Sequence, residues 1–224
     1  MKKVLDHGHV RLFEHMGNDL SVVRNARVSY DAEWRDSGEQ KDARLINYLM
    51  KNRHTSPFEA VTFTFGIKCP IFIARQWHRH RTWSYNEVSA RYTELPSEYY
   101  IPSADQLTTQ STSNKQMRTD EKLPYADLLV GHINDMCHRG HQDYRWLLEQ
   151  GVPRELARGV LPLNTYTHFF GTVDLHNLFH FLELRLHPHA QWEIRQYALA
   201  ILELIEPIVP VSTAAFVAHR LEAK

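Results

Sequence analysis

An excess of charge of either sign is missing from this chain. Its 26 basic residues balance 26 acidic ones, so no global field draws it to nucleic acid or a membrane. Any affinity for an anion must come from a local cluster. Cysteine is nearly absent: Cys69 and Cys137 are the two thiols in 224 residues. They lack CxxC spacing, so neither a zinc knuckle nor a redox pair is indicated. No long apolar run follows the pair Lys2-Lys3, and no stretch approaches the length that spans a bilayer. The chain therefore reads as cytoplasmic, with both thiols reduced. No GxGxxG follows a strand pattern, and no Walker pattern or HExxH occurs, so a Rossmann crevice, a P-loop and a zincin helix are not expected. No internal repeat is found.

What is present suits a globular protein. Hydrophobic residues make up 43% and charged residues 23%, ordinary values, and the length can bury a core without staples. Residues 8–14 predict a short strand, 16–19 a turn and 20–30 a short helix. In 42–52, Leu45, Ile46 and Leu49 stand at helical spacing. HTSPFEAV (54–61) offers a polar turn with Pro57 at a first helical position. VTFTFGIK (61–68) alternates and is rich in β-branched and aromatic residues, which predicts a strand. A helix opened by Pro70 is expected over 69–81. Residues 103–121 carry almost no apolar side chains and predict a long surface loop. A helix of about seven turns is expected over 124–149, then a short helix over 151–162 and a strand over 164–173. Helices over 174–186 and 190–205 close the core. In the first, Leu175, Leu178, Phe179, Leu182 and Leu186 form an apolar stripe. His176, His180 and Glu183 form a separate stripe, and Asp174 and Arg185 lie on the opposite flank. The expected fold is α/β of the α+β type: one helix-rich domain over residues 1–224 around a mainly antiparallel sheet.

The densest functional run is Gln76-Trp77-His78-Arg79-His80-Arg81, followed by Ser84-Tyr85-Asn86-Glu87-Val88-Ser89-Ala90-Arg91-Tyr92. Two guanidinium forks around a histidine match phosphate oxygens. Glu87, Ser89 and Arg91 alternate, so an extended backbone would present all three on one face. An acceptor, a hydroxyl and a cation there could read a base edge and a phosphate. The plain alternative is a solvated basic turn before a strand. Trp77 and Trp83 read as packing residues, Tyr85 and Tyr92 as core hydrogen-bonders, His187 and His189 as cap or surface residues, and Glu155 as an arginine partner. Two other functions compete. Pairs such as His78 with His80, or His176 with His180, could hold a metal. Aromatics interleaved with basic residues over QWHRHRTWSYNE could stack on nucleic acid, although a net charge of zero argues against it.

Arg79-His80-Arg81, seven intervening residues and then Ser89 resemble the signature of the flavin-dependent thymidylate synthases. NARVSY (25–30), HTSPFE (54–59), PRELAR (153–158), LPLNTYTHFF (161–170) and LELRLHPHAQWEIRQYA (182–198) are similar to segments of that family in the same order. The resemblance implies reductive methylation of dUMP to dTMP, with methylenetetrahydrofolate as carbon donor and NADPH-reduced FAD as hydride source, no metal, and a homotetramer with shared active sites. It implies dUMP contacts at Gln76, Trp77, His78, Arg79, Glu87, Val88, Ser89, Ala90, Arg91, Arg158 and Arg185. Flavin contacts are implied at Ser56, Arg79, His80, Arg81, Glu87, Asp174, Leu175, His176 and His180, with Ser29 a further candidate for the flavin phosphates. His54 resembles a histidine tied to the reductive half-reaction. The chain departs from the family after residue 102 and at the extreme C-terminus. Asp174-Leu175-His176 stands where many members have Asn-x-Arg, His180 where some have asparagine, and Ala60 where histidine is frequent.

The chemistry so implied fits the residues. Uracil C5 is a poor nucleophile, and a fixed cation at the N3–C4 edge favours an enolate-like form. Arg185, which the resemblance places there, stays charged at any working pH. The alternative, a cysteine adding to C6, finds neither thiol beside an activating group. Ser89 has no evident base and reads as a hydrogen-bond donor. Without a protein nucleophile, the reducing equivalents fall to a cofactor, which must bind outside a Rossmann crevice.

Overall fold

The computed structural model describes residues 1–32 and 38–222. In chain order they form β1 (Lys2–Val4), β2 (Gly8–Met16), α1 (Asp19–Arg27), α2 (Glu39–Lys51), β3 (Thr62–Pro70), α3 (Ile71–Trp77), β4 (Ser84–Glu87) and β5 (Thr108–Gln110). There follow β6 (Arg118–Lys122), α4 (Ala126–Glu149), α5 (Arg154–Ala157), β7 (Tyr166–Asp174), α6 (Leu175–Arg185), α7 (Trp192–Ile205) and α8 (Pro210–Phe216).

The alternation along 61–68 places β3 at the centre of a five-stranded sheet of order β1-β2-β3-β7-β4, antiparallel throughout. Phe63, Phe65, Ile67 and Cys69 are fully buried on one face. There they cluster with Phe181 and Leu182 of α6 and with Tyr197 and Ile201 of α7. Sheet and helices thus make the two layers expected of an α+β fold, with one hydrophobic cluster between them. The turn at 16–19 becomes a helix start by capping: Asn18 Oδ1 accepts from Leu20 N at 3.0 Å, and Asn18 N donates to Ser21 Oγ at 3.2 Å.

Two expectations are corrected. The helix expected over 69–81 occupies only Ile71–Trp77. Its front is lost because the ladder to β7 continues through Cys69 and Pro70. Its rear is lost because the chain turns after Trp77, where Tyr85 Oη donates to Trp77 O at 3.2 Å and to His80 O at 2.9 Å. The loop expected over 103–121 holds a capped turn, Ala104–Gln106, and the hairpin of β5 and β6. Threonine favours strands without adding apolar content. Polar bonds then anchor the hairpin: Arg118 Nη1 donates to Gln106 O at 3.2 Å and to Glu193 Oε1 at 3.3 Å. The short elements β1 and α8 carried no periodic signal.

Gly8 joins the sheet edge to the helical layer. A Cβ there would lie 2.1 Å from Tyr197 Oη, 2.6 Å from Val4 O and 2.9 Å from Lys68 O. The Tyr197 hydroxyl already donates to Lys68 O at 2.8 Å, so a methyl group must displace backbone. Gly8→Ala is expected to lower stability by about 2 kcal/mol. Urea denaturation reads this directly, and an unmoved midpoint refutes the packing described.

Candidate functional site

Helix α6 collects the candidate residues because its two sides differ. Leu175, Leu178, Phe179, Phe181 and Leu182 are buried. His176 and Arg185 are half-buried, and His180 is exposed. Asp174 caps the helix, accepting from Asn177 N at 2.9 Å and from Asn177 Nδ2 at 2.6 Å. This cap engages both carboxylate oxygens, a role the sequence reading did not assign.

Arg185 reaches the turn that follows α3. Trp77 is fully buried, stacked at 4.7 Å on Phe181 and edge-on to Phe169 at 5.5 Å. His80 N donates to Trp77 O at 2.9 Å, so the buried indole fixes where His80 stands. The imidazole of His80 is 7% exposed and lies edge-on to Phe181 at 4.9 Å. Its Nε2 accepts a hydrogen bond from Arg185 Nε at 3.0 Å. Burial, then Arg185, then His180 pull the His80 pKa from 6.5 to about 4. Burial also lowers the pKa of Arg185. Among the described residues no carboxylate pairs with it.

A cavity of about 310 Å³ is bordered by His54, Thr55, Phe58, His176, Asn177 and His180, without His80 or Arg185 in its lining. The His180 and His80 rings are 6.2 Å apart, centre to centre. Phe216 and Arg220 also border the cavity, Arg220 being ion-paired to Glu183 at 2.5 Å. Neither was singled out from the sequence: the C-terminal segment has no motif, and its approach to α6 is a long-range contact. Ser56, in the turn Ser56–Ala60, and Ser29 are exposed, as are Arg79 and Arg81 on either side of His80.

The second group lies where β4 ends. Glu87 Oε1 accepts from Thr167 Oγ1 at 2.5 Å. After Val88 N donates to His168 O, the chain turns: Tyr92 N donates to Ser89 O at 2.9 Å and Arg91 N to Ser89 Oγ at 3.3 Å. Glu87, Ser89 and Arg91 therefore do not share one strand face, because the ladder stops short of Ser89. The turn instead brings Arg91 within 3.6 Å of Glu155, one helical turn before Arg158. Tyr85 bonds inside the core as expected, but Tyr92 is 82% exposed and does not.

Three residues with implied contacts have buried side chains. Trp77 and Leu175 are wholly enclosed and Ala90 nearly so. The Leu175 N–H is spent on Val61 O at 2.8 Å. Gln76 Oε1, Trp77 Nε1 and His78 Nε2 are all buried with no hydrogen-bond partner among the described residues, an arrangement that costs on the order of 1–3 kcal/mol per group. Val88 is partly open. Both thiols are buried, and burial pushes the pKa of each up, with Glu87 adding to the effect at Cys69. Neither is poised as a thiolate. Among the described residues no group of three His, Cys, Asp or Glu converges as metal ligands would. No described helix is long and apolar enough to cross a membrane.

A family model described as thymidylate synthase complementing protein matches residues 2–211. The flavin-dependent thymidylate synthase of Thermus thermophilus is 52% identical over 219 residues, 98% of this chain and 79% of that protein. The enzyme of that name from Treponema denticola is 47% identical over 220 residues, 97% of this chain and 82% of that protein. Among solved structures, the UMP/dUMP methylase PolB from Streptomyces cacaoi bound with 5-Br dUMP matches at a TM-score of 0.89. Identity is 34%, with 98% of each chain covered. The sheet, the helices behind it and these matches make the chain an enzyme of the methyltransferase class. More narrowly, it belongs to the family of flavin-dependent thymidylate synthases.

The buried imidazole has a consequence for stability. His80 titrates near 4 when folded and near 6.5 in an unfolded chain, so between these values the unfolded state binds more protons. Its contribution is fully present above pH 6.5 and is lost as pH falls towards about 4. Denaturation midpoints measured across that window should fall less steeply in His80→Gln than in the native protein. Equal slopes would refute a neutral His80.

Proposed function

We propose that the chain methylates dUMP to dTMP, taking the carbon from methylenetetrahydrofolate and the hydride from NADPH by way of bound FAD, and releasing tetrahydrofolate. One observation carries this reading: a half-buried guanidinium, Arg185, with no carboxylate partner among the described residues and a neutral imidazole at its Nε. An uncompensated cation held in a partly dry place is costly, and its use is to meet negative charge that develops on a ligand. On a bound pyrimidine, Arg185 would draw electron density to the N3–C4 edge and make C5 nucleophilic. The matched methylase, bound with a dUMP analogue, and the flavin-dependent relatives support the same substrate and cofactor classes.

The remaining residues suit such a ligand. Gln76 and His78, whose Oε1 and Nε2 have no partner among the described residues, are assigned to the nucleotide. Arg79, Arg91 and Arg158 supply cations for its phosphate, and Ser89 a hydroxyl. For FAD, the donor set around the 310 Å³ cavity fits an anionic dinucleotide: His176 and His180, with Ser56, Arg79 and Arg81 exposed nearby. When bound, FAD supplies the reducing chemistry that no side chain of this protein can. A cavity of that volume stands at the small end for a ligand pocket and would enclose only part of a dinucleotide. We therefore place the complete site between copies in a homotetramer.

Two measurements test this. The purified protein should show a flavin absorbance that NADPH bleaches and dUMP perturbs. Arg185→Ala should stay yellow yet lose nearly all dTMP formation, about 100-fold or more; normal turnover in that variant sinks the assignment. Light scattering coupled to size exclusion should give a tetramer. A stable monomer that retains FAD would contradict the shared site.

A further inference from the structure

We propose that His80 is the positioning residue of Arg185: its imidazole Nε2 grips the guanidinium at Nε and leaves the terminal nitrogens, and the whole positive charge, for the substrate. The inference rests on the functional reading above, and geometry fixes its terms. A guanidinium N–H can only donate, so the 3.0 Å bond requires a lone pair on Nε2. The ring proton of a neutral imidazole then resides on Nδ1. Among the described residues the Arg185 side chain has no other hydrogen bond and no ion pair, so Nη1 and Nη2 remain uncommitted.

The imidazole itself cannot drift. Its backbone N–H is held by Trp77 O at 2.9 Å and its carbonyl by the Tyr85 hydroxyl at 2.9 Å. Its ring rests against Phe181 at 4.9 Å. Trp77 and Phe181 are both fully buried, so the grip is anchored in the core. Arg185, at the last turn of α6, would otherwise sweep through its rotamers.

The choice of partner matters as much as its place. A carboxylate at this position would orient the guanidinium equally well but would cancel its charge, removing the field that activates the pyrimidine. A neutral acceptor separates aiming from neutralisation. Burial favours that neutral form, in keeping with the depressed His80 pKa.

Three substitutions in the full-length flavin-loaded enzyme, assayed at saturating FAD, tell these functions apart. His80→Leu removes the acceptor and should lower kcat about 100-fold, the cost of a loosely aimed group, with a smaller change in the KM for dUMP. His80→Gln places a neutral oxygen where Nε2 stood and should recover about tenfold of that loss. His80→Glu keeps an acceptor but adds a charge, and should recover none. Calorimetry of dUMP binding to the same loaded variants gives a readout apart from turnover: His80→Leu should bind the nucleotide within about tenfold of native affinity. In an Arg185→Ala background His80→Leu should have no further effect on kcat. Equal kcat in the Leu, Gln and Glu variants overturns the proposal, as does a Glu variant that outperforms Gln. Undiminished turnover in Arg185→Ala alone would instead overturn the functional reading beneath it.

Discussion

The burial of one indole governs the geometry of this protein. Trp77 packs against Phe169 of the sheet, Phe181 of α6, Tyr197 of α7 and Trp83 of the following turn, with ring centres 4.7–6.0 Å apart. A single side chain so placed locks the sheet, both covering helices and the basic turn into one arrangement. Aromatic contacts of this kind bury a large area with few rotatable bonds. The residues that follow Trp77 inherit its fixity. His80 therefore meets Arg185, 105 positions further along the chain, through contacts that run within the core.

Much of this was legible because it is periodic or local. The alternation of β3 and the apolar stripe of α6 repeat at the spacing of their elements, and the structure keeps both. The basic run and the segments that follow it in family order were equally readable as a pattern. What the pattern did not carry was depth. Gln76, Trp77, His78, Arg79 and His80 are consecutive, yet Trp77 faces the core, Arg79 faces solvent and His80 closes on another helix. A turn points successive side chains in different directions, and a linear motif does not record which. The same holds for Glu87, Ser89 and Arg91, whose common face depended on a strand that ends at Glu87.

The hairpin of β5 and β6 was missed for a different reason. Its strands are held by polar side chains, through Arg118 and the buried Glu193, and hydrophobic periodicity is blind to such ties. The closure of the histidine-lined cavity by Phe216 and Arg220 was likewise invisible, because it joins the C-terminal segment to a helix far earlier in the chain. In both cases the deciding interaction is long-range, and a local pattern has no term for it.

Helix α6 is a single rigid rod that presents His176 and His180 to a cavity near its start and Arg185 to a turn at its end. Arg185 stands five positions after His180, a rise of about 7.5 Å along the axis. A small tilt of that rod re-aims both ends together. A ligand that tilted the rod from one flank would be felt at the other, and reciprocity would make such a coupling equal in both directions.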